Sequence, residues 1–511
     1  MLKAKRKLVI LLCTISVLIM AGSLFACNNT HKINFIVDGA TYLTTEYTNG
    51  ESFSLPTSPT KENHTFGGWY FDNTSYIKNL TKTTFINEKF DADVTVYARW
   101  VPYWNGTSCS TNLNGNGSVK TPYLINSPSD LVYLTKQVEG GNKFTDLNFE
   151  LTCDLNLNNN EWTPIGLKQN LFEGNFNGNG YTVSNFVING STKNAGLFGG
   201  VKGKITNLKV VNFNYDLQLN STMEIGGVVG YLWGVGNNLQ AQGIINVNNI
   251  QTSYVGGAVG YLNEGDLRNI KSNVHVVSSS QNSTQYLGGV VGYVNGGQIQ
   301  NVVNMNSVKV HLQNTTNNGI SAFSGGIAGY GTNVNIKNAK NNAQVECLSV
   351  AQAEVSVYCA GIIASMFENS SVVLAINNGL VVAKTLSQNL SFPLSAAGIV
   401  GEAIGSNITN CVVNNGISVS CEATLQNVGM VVGKAINVTV QKLVYANGVP
   451  ITNSNNQVSN NEYGEMVNCS RVLNITYMAY GFLPYSFNNE TYITSGFVWI
   501  YTQNGVNLYL E

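Results

Sequence analysis

A short glycine motif recurs eight times in the larger, C-terminal part of the chain. Its clearest copies read Gly-Gly-x-x-Gly, with small or aliphatic residues in the middle. Counted at their second residue, successive copies lie 30 to 37 residues apart. A repeat of this length predicts a solenoid or a similar array, in which each unit packs on its neighbours. The copies are Ala195–Gly199, Gly226–Gly230, Gly256–Gly260, Gly288–Gly292, Gly325–Gly329 and three degenerate ones, Ala360–Ala364, Ala397–Gly401 and Val428–Val432.

Most periods contain a second motif, an aliphatic residue about ten positions after the glycines that is followed two residues later by Asn. Examples are Ile205-Thr206-Asn207 and Ile299-Gln300-Asn301. The apolar runs are three to six residues long and rich in β-branched residues, which favours strands over helices. Short strands repeated in register predict a parallel β-helix, in which each strand pairs with its equivalents in the coils above and below.

Composition supports an all-β chain. The 511 residues include 52 Gly and 73 Asn, a mixture that favours turns over long helices. Glycine suits coil corners where φ is positive or where backbones pass closely, and Asn also tolerates left-handed conformations. Asn residues that recur at one coil position can form amide ladders along the stack.

A solenoid needs caps, because its terminal coils expose unpaired strand edges. Ser127-Pro128-Ser129-Asp130 is a helix-start signal, and Leu131, Leu134 and Val138 form an apolar stripe that ends at Gly140-Gly141. We expect this helix to cover the N-terminal end. Near the C-terminus, two alternating strands flank Asn504-Gly505, which predicts a hairpin that closes the other end.

The N-terminus has the features of an export signal. Lys3, Lys5, Arg6 and Lys7 precede an uncharged apolar stretch, Leu8 to Phe25. The following Leu24-Phe25-Ala26-Cys27 resembles the bacterial lipobox, although Phe25 stands where a small residue is usual. The resemblance implies a signal peptide over residues 1–26 and a diacylglycerol on Cys27. The alternative is an uncleaved signal anchor, and both interpretations place the rest of the chain outside the cytoplasm.

Residues 27–101 are predicted to form a separate small β domain. Their motifs are Leu55-Pro56-Thr57, His64-Thr65-Phe66-Gly67-Gly68-Trp69-Tyr70 and a closing Val96-Tyr97-Ala98-Arg99-Trp100. This segment resembles the internalin B-repeat, also called the Listeria/Bacteroides repeat. The resemblance implies a β-grasp-like module that acts as a spacer or interaction unit in surface proteins. Residues 102–118, rich in Gly, Asn and Ser, are predicted to be a linker.

The repeat region has a resemblance of its own. Pro122-Tyr123-Leu124-Ile125, Trp162-Thr163-Pro164-Ile165-Gly166, the segment from Phe172 to Val183 and the recurring Gly-Gly-Val-Val-Gly are similar to GLUG-motif proteins. That resemblance implies a right-handed β-helix over residues 119–440 on a bacterial surface, in chains similar to adhesins. Residues 441–511 are predicted to be a C-terminal cap.

Seven cysteines remain beyond the signal and the lipid site, and no pair has Cys-x-x-Cys spacing. We favour buried thiols over disulfides, although an exported chain could form either. The seven are Cys109, Cys153, Cys347, Cys359, Cys411, Cys421 and Cys469.

The search for reactive groups finds little. The four histidines, His31, His64, His275 and His311, lack partners at metal-ligand spacing. From residue 230 to 440 only seven acidic residues occur, at unrelated coil positions, which argues against a glycosidase pair. Asp154, Glu161 and Glu173 near Trp162 are the best local candidates for a sugar-binding cleft, but a first-coil turn with Trp162 in the core is the favoured interpretation.

Two nucleotide- or metal-binding motifs fail on spacing. The segment from Asp154 begins like a calcium loop, but Asn159 and Ile165 stand where Gly and Glu are required. The segment from Gly199 to Lys204 does not meet P-loop spacing either. A formal net charge of -1 gives no electrostatic footprint for nucleic acid. We therefore expect no catalytic, cofactor or metal site.

The sequence thus predicts a bacterial cell-surface lipoprotein that is not an enzyme and serves adhesion or ligand display. Its partners are expected to be the membrane, through the lipid, and a host matrix protein or a glycan. Binding would use a long, mildly polar solenoid face through hydrogen bonds and stacking. The alternative is a carbohydrate-active or glycan-binding surface protein that uses the groove of the β-helix.

Overall fold

The computed structural model describes residues 30–48, 54–74, 76, 79–80, 90, 92–190, 194–315, 318–351, 355–387, 393–414, 417–421, 426–441, 444–445, 451–452, 458–459, 463–467, 470–472, 497–502 and 505–510. The chain divides into two compact units, Met1–Pro102 and Tyr103–Glu511. The signal segment 1–26 and Cys27 lie outside the described residues.

The N-terminal unit is a five-stranded sheet. Its strands are β1 (Thr30–Val37), β2 (Ala40–Thr48), β3 (His64–Tyr70), β4 (Asn79–Leu80) and β5 (Val94–Pro102). The spatial order is β2-β1-β5-β3-β4, with β1 parallel to β5 and the other pairs antiparallel. Alternate residues of these strands bury one face, and the core consists of Ile33, Phe35, Tyr47, Trp69, Leu80, Val96 and Ala98. Trp69 is therefore core, as the small size of the domain led us to expect.

The second unit is almost entirely strands. They are β6 (Tyr123–Ile125), α1 (Pro128–Glu139, the helix), β7 (Asn148–Leu151), β8 (Leu155–Glu161), β9 (Asn175–Asn177), β10 (Thr182–Gly190), β11 (Phe198–Val201), β12 (Lys204–Leu219), β13 (Met223–Gly226), β14 (Val229–Leu232), β15 (Val235–Asn249), β16 (Ser253–Gly256), β17 (Val259–Gln281), β18 (Gln285–Gly288), β19 (Val291–Asn304), β20 (Val308–Asn314), β21 (Ile320–Gly325), β22 (Ala328–Asn341), β23 (Val345–Ala351), β24 (Val355–Ala360), β25 (Ile363–Phe367), β26 (Ser371–Asn377), β27 (Val381–Ser387), β28 (Leu394–Ala397), β29 (Val400–Ile404), β30 (Asn407–Thr409), β31 (Val412–Val413), β32 (Ile417–Cys421), β33 (Gln426–Gly429), β34 (Val432–Ile436), β35 (Thr439–Gln441), β36 (Val444–Tyr445), β37 (Ile451–Thr452), β38 (Val458–Ser459), β39 (Tyr463–Val467), β40 (Ser470–Val472), β41 (Phe497–Thr502) and β42 (Gly505–Leu510).

These strands stack as the coils of a parallel β-solenoid, which confirms the predicted fold class. Strand pairing joins each coil to the next, so that β12 pairs with β15 and β15 with β17, all in parallel. One side is a separate parallel sheet of seven short strands in the order β13-β16-β18-β21-β24-β28-β33. Each of these short strands ends at the first position of the glycine motif, where Gly256 pairs with Gly288 and Gly288 with Gly325.

The second motif forms an inward column. Its aliphatic residues lie in register along the solenoid axis, and each is 0 to 1% exposed. The one glycine of the column, Gly236, leaves space for the side chain of Leu267. The column is Ile205, Gly236, Leu267, Ile299, Ile336, Val372, Ile408 and Val440. Burial of this continuous stack is the main source of stability in a repeat of this kind.

The motif glycines are required by close packing rather than by positive φ. None of Gly227, Gly257, Gly289 and Gly326 has a positive φ. A Cβ on Gly326 would lie 2.1 Å from the carbonyl oxygen of Gly361 in the next coil and 2.4 Å from Cγ of Asn341. The sequence analysis considered positive φ and close backbone approach as reasons for glycine, and close backbone approach applies at the motif.

Asn supplies the left-handed corners. Among the described residues, 23 non-glycine residues have a positive φ, and 16 of them are Asn. Their amides form ladders, as when Asn338 Nδ2 donates to Asn301 Oδ1 at 3.0 Å and Asn301 Nδ2 donates to Asn269 Oδ1 at 2.9 Å. A second, fully buried ladder joins Asn304, Asn341 and Asn377.

The helix α1 agrees with its sequence signal. Ser127 is the N-cap and accepts a hydrogen bond from the backbone N–H of Asp130, and Pro128 occupies the first turn. The stripe Leu131, Leu134 and Val138 is buried. At twelve residues, the only helix in the described part of the chain is too short to cross a bilayer.

The sequence predicts a linker over residues 102–118, but from Trp104 onward this segment packs on the first coils. Trp104 is 7% exposed, and its backbone N–H donates to the carbonyl of Asn156 at 2.9 Å. Ser110 Oγ donates to Asp130 Oδ1 at 2.5 Å. Its Gly- and Asn-rich composition supplies turns rather than flexibility, because one large aromatic anchors them to the core.

Two registers near the C-terminus differ from the sequence alignment. Gly429 lies opposite Ala397, so it occupies the first motif position and Met430 the second. The hairpin of β41 and β42 is present, and Gly505, which the sequence placed in the turn, is the first residue of β42 and lies opposite Thr502. The hairpin forms a two-stranded sheet of its own, and its capping role stays a prediction.

Candidate binding surface

The acidic residues near Trp162 each have a structural partner. Trp162 is 2% exposed and its indole N–H donates to the carbonyl of Leu197 at 3.0 Å. Asp154 accepts from the backbone N–H of Thr182, and Glu161 accepts from the backbone and side chain of Asn189. These carboxylates tie one coil to the next, as the first-coil interpretation requires.

Glu173 is also engaged. It accepts from Thr145 Oγ1 at 2.9 Å and pairs with Lys143 Nζ at 3.2 Å. Burial acts to raise the pKa of this carboxyl, but the hydrogen bonds from Thr145 and Lys143 and the charges of Lys143 and Lys202 outweigh it, so the pKa is lowered. Glu173 is thus ionised at neutral pH and does not resemble a general acid.

The described residues contain no cluster of three or more His, Cys, Asp or Glu suited to a metal ion. His64 contacts the carbonyl of Glu62, His275 contacts Ser307, and His31 lies beside Tyr47. His311 lines an open cleft of about 320 Å³ together with Asn248 and Leu348.

Five of the seven predicted thiols are described, and all five are free: Cys109, Cys153, Cys347, Cys359 and Cys411. All but Cys109 are buried. Burial raises the pKa of the Cys411 thiol to about 12 and also raises that of Cys359. The side chain of Cys421 and the whole of Cys469 lie outside the described residues.

The most distinctive outer surface is a double column of aromatic rings. We call it the tyrosine strip, and it consists of Tyr231, Tyr261, Tyr293, Tyr330 and Phe367 in one column and Tyr254, Tyr286, Phe323 and Tyr358 in the other. The tyrosines are half-buried. The strip crosses about five successive coils. A continuous patch of partly exposed aromatic side chains of this kind is typical of an interaction surface.

The glycine motif positions both columns. The first column follows the last glycine of the motif, so that β14, β17, β19 and β22 each present a Tyr in register. The second column lies two residues before the motif, on β16, β18, β21 and β24. The tight glycine turn between them brings the two columns side by side.

Within each column the rings stack at interplanar angles of 3° to 29°, apart from Tyr231 and Tyr261, which are tilted at 32°. Between the columns the rings meet edge to face. Tyr261 and Tyr293 stack with centroids 4.9 Å apart at 19°, and Tyr286 and Phe323 at 4.9 Å and 4°. Across the columns, Tyr286 and Tyr293 meet at 5.2 Å and 86°. Both arrangements are favourable for aromatic quadrupoles and add stability beyond burial.

The strip's hydroxyl groups are neutral over the physiological range. Burial, with a smaller contribution from nearby tyrosines and Glu402, raises the pKa of Tyr330 and Tyr358 to about 12. Burial also raises the pKa of Tyr231, Tyr254, Tyr261, Tyr286 and Tyr293.

Ion pairs close both ends of the strip. At one end, Lys168 Nζ lies 2.7 Å from Glu224 Oε1 and 5.0 Å from the ring centroid of Tyr231. At the other end, Lys434 Nζ lies 3.8 Å from Glu402 Oε1. In the strand register Tyr330 is followed by Ser365, Glu402 and Lys434 in the next three coils. Glu224 and Glu402 are nearly buried, so their pairing with lysine keeps the ends without net charge.

The sequence analysis missed the strip, although a signal was present. Tyr follows the motif in Gly230-Tyr231, Gly260-Tyr261, Gly292-Tyr293 and Gly329-Tyr330, and an aromatic residue stands two positions before it at 254, 286, 323 and 358. An alignment of flanking residues together with the glycines would have found both columns.

Three comparisons with known proteins bear on the chain. It is 33% identical over 132 residues to a candidate Gly-rich membrane protein of Evansella cellulosilytica, covering 25% of this chain and 15% of that one. It is 30% identical over 165 residues to halomucin of Haloquadratum walsbyi, covering 30% of this chain and 2% of that one. The chain therefore spans only a small part of the length of either relative.

Among solved structures, the chain is similar to a candidate immunoglobulin A1 protease of Bacteroides ovatus. The TM-score is 0.33 and the sequence identity 13%, over 70% of this chain and 86% of the other. The N-terminal unit matches a domain family directly, over residues 31–99. Residues 31–99 are thus a Listeria-Bacteroides repeat domain, as their motifs predicted.

Proposed function

We propose that this chain is a non-catalytic bacterial cell-surface lipoprotein that displays its β-solenoid for adhesion or ligand binding. The observation that carries the proposal is the tyrosine strip, which presents partly exposed rings and hydroxyls over about five coils. Aromatic residues with a polar group are the side chains that binding surfaces favour.

A surface location is supported by several independent features. The basic and apolar N-terminus and Leu24-Phe25-Ala26-Cys27 favour export and a lipid on Cys27. The relatives are described as a Gly-rich membrane protein and as halomucin, and the N-terminal unit is a repeat domain. The glycine motifs resemble those of GLUG-motif proteins, in which such solenoids belong to surface chains.

A carbohydrate-active enzyme is the less supported alternative. The carboxylates that the sequence offered for acid–base chemistry hold neighbouring coils together, and Glu173 is held ionised. Glycan binding without hydrolysis is favoured by the strip itself, since its groups suit hydrogen bonding and apolar contact with sugars.

The anchor is tested by labelling the producing cell with a radioactive fatty acid. We expect the wild-type chain to carry the label in the membrane fraction and Cys27→Ala to lose it. Equal labelling of both chains would contradict lipidation at Cys27. Cys109→Ala is the matched control, because Cys109 lies far along the sequence from the signal.

Display is tested with intact cells on immobilised matrix proteins and glycans. We expect cells that carry the chain to adhere to at least one surface more strongly than cells that lack it. Adherence that is equal on every surface would overturn the proposed function.

A further inference from the structure

The tyrosine strip repeats one chemical group at each coil. In its first column, Tyr231, Tyr261, Tyr293 and Tyr330 occupy the same register position in four successive coils. Coils in a parallel stack are about 4.8 Å apart, so the column is a row of phenol groups at that spacing. A ligand can use all of these groups at once only if it also repeats along its length.

The hydroxyl groups are available for binding. Within the described part of the chain, the hydroxyls of Tyr231, Tyr261, Tyr293 and Tyr330 have no hydrogen-bond partner, and neither do those of Tyr254 and Tyr286. Each hydroxyl can both donate and accept. Partly buried hydroxyls without a protein partner are satisfied by solvent or by a ligand that replaces it.

Ring faces are largely covered by the strip itself. Tyr293 stacks on Tyr261 at 4.9 Å and on Tyr330 at 5.0 Å, so both of its faces are occupied. In such a stack only the ring edges and the hydroxyl groups remain exposed to solvent. Recognition therefore depends on hydrogen bonds from the hydroxyls more than on stacking against a ring face.

Charge around the strip disfavours an anionic ligand. The two lysines near its ends are paired with Glu224 and Glu402. Two exposed carboxylates, Glu264 and Glu368, lie close enough to raise the pKa of Tyr231 and of Tyr293, respectively. A ligand with carboxylate or sulfate groups would meet these side chains at a cost, whereas an uncharged ligand would not.

We propose that the tyrosine strip binds a neutral polysaccharide chain that lies along the solenoid axis, with its hydroxyls hydrogen-bonded to the row of tyrosine hydroxyls. A polysaccharide matches the strip because it repeats hydroxyl and C–H groups along its length and carries no charge. This inference rests on the proposed function of ligand display and specifies its ligand class and its site.

The test is affinity electrophoresis of the full chain in mild detergent. Gels contain one soluble neutral polysaccharide each (a β-glucan, a xylan, a mannan or a starch) or an anionic one (polygalacturonate or hyaluronan). We expect retardation by at least one neutral polysaccharide and none by the anionic ones. Retardation by anionic polymers alone, or by no polysaccharide, would overturn the inference.

A triple variant locates the site. Tyr261→Phe, Tyr293→Phe and Tyr330→Phe together keep the rings and remove three hydroxyls, so we expect retention to weaken at least about tenfold. The matched control changes three half-buried tyrosines elsewhere in the second unit: Tyr103→Phe, Tyr123→Phe and Tyr133→Phe. Circular dichroism melting confirms that both variants are folded. Equal retention of the two triple variants would contradict the assignment of the strip.

The same chain is also tested on immobilised collagen and other matrix proteins. Binding to a matrix protein without binding to any neutral polysaccharide would leave ligand display standing and overturn this inference. Binding to neither class would overturn both.

Discussion

At the scale of single residues, Asn301 both adopts the left-handed backbone conformation of a coil corner and takes part in an amide ladder. Its φ is 57°, its Nδ2 donates to Asn269, and its Oδ1 accepts from Asn338. We expect Asn301→Ala to lower the free energy of unfolding by about 2–4 kcal/mol, because it adds left-handed strain and removes two hydrogen bonds. Asn301→Gly relieves the strain and should cost about half as much. Chemical denaturation measures both, and equal losses would show that backbone strain is unimportant there.

Tyrosine ionisation gives a pH dependence with a definite sign. The pKa of Tyr330 and Tyr358 is about 12 in the folded chain, against about 10 when unfolded. The folded state therefore holds these protons more tightly, so their contribution to stability is complete below pH 10 and is lost as the pH rises from about 10 to about 12. Titration of absorbance at 295 nm should show a late step that is smaller in Tyr330→Phe and absent in denaturant. A single step near pH 10 in the folded chain would contradict this.

At the scale of the coil, the two glycines of the motif differ in what they tolerate. A Cβ on Gly325 would lie 1.8 Å from the carbonyl oxygen of Ala328, but Ala360 and Ala397 occupy the same position in the next two coils, so a local shift of this turn accommodates a methyl group. The second position is Gly from Gly227 to Gly398, packed against the next coil and an inward side chain. We expect Gly326→Ala to cost about 3 kcal/mol and Gly325→Ala about 1 kcal/mol. Thermal unfolding compares them, and a reversed order would show that the register is misassigned.

At the scale of the whole molecule, each unit has its own core. Phe35 is fully buried in the N-terminal unit and meets Trp69 edge to face at 4.9 Å. We expect Phe35→Ala to destabilise that unit by about 3–5 kcal/mol. Calorimetry should show one transition moving to lower temperature, while the transition of the solenoid stays in place. Leu267→Ala, in the inward column of the solenoid, is the matched variant and should move only the other transition.

The sequence alone determined the repeat, the fold class, the helix that follows Ser127 and the Listeria-Bacteroides repeat domain at residues 31–99. These features are encoded locally or periodically. Ser127 and Pro128 form a helix-start signal within a few residues, and glycines 30 to 37 residues apart place equivalent strands in successive coils. Trp162 could also be assigned to the core, because a large aromatic next to a predicted turn is more often buried than bound to a ligand.

Only the tertiary structure decided the rest. The aromatic residues of the tyrosine strip recur beside the glycine motif in the sequence, but they become one surface only when the coils stack in register. The same stacking anchors Trp104, which makes a predicted linker part of the solenoid, and moves Gly429 by one motif position. Register between coils depends on summed backbone pairing and packing over whole strands, so a short motif cannot determine it.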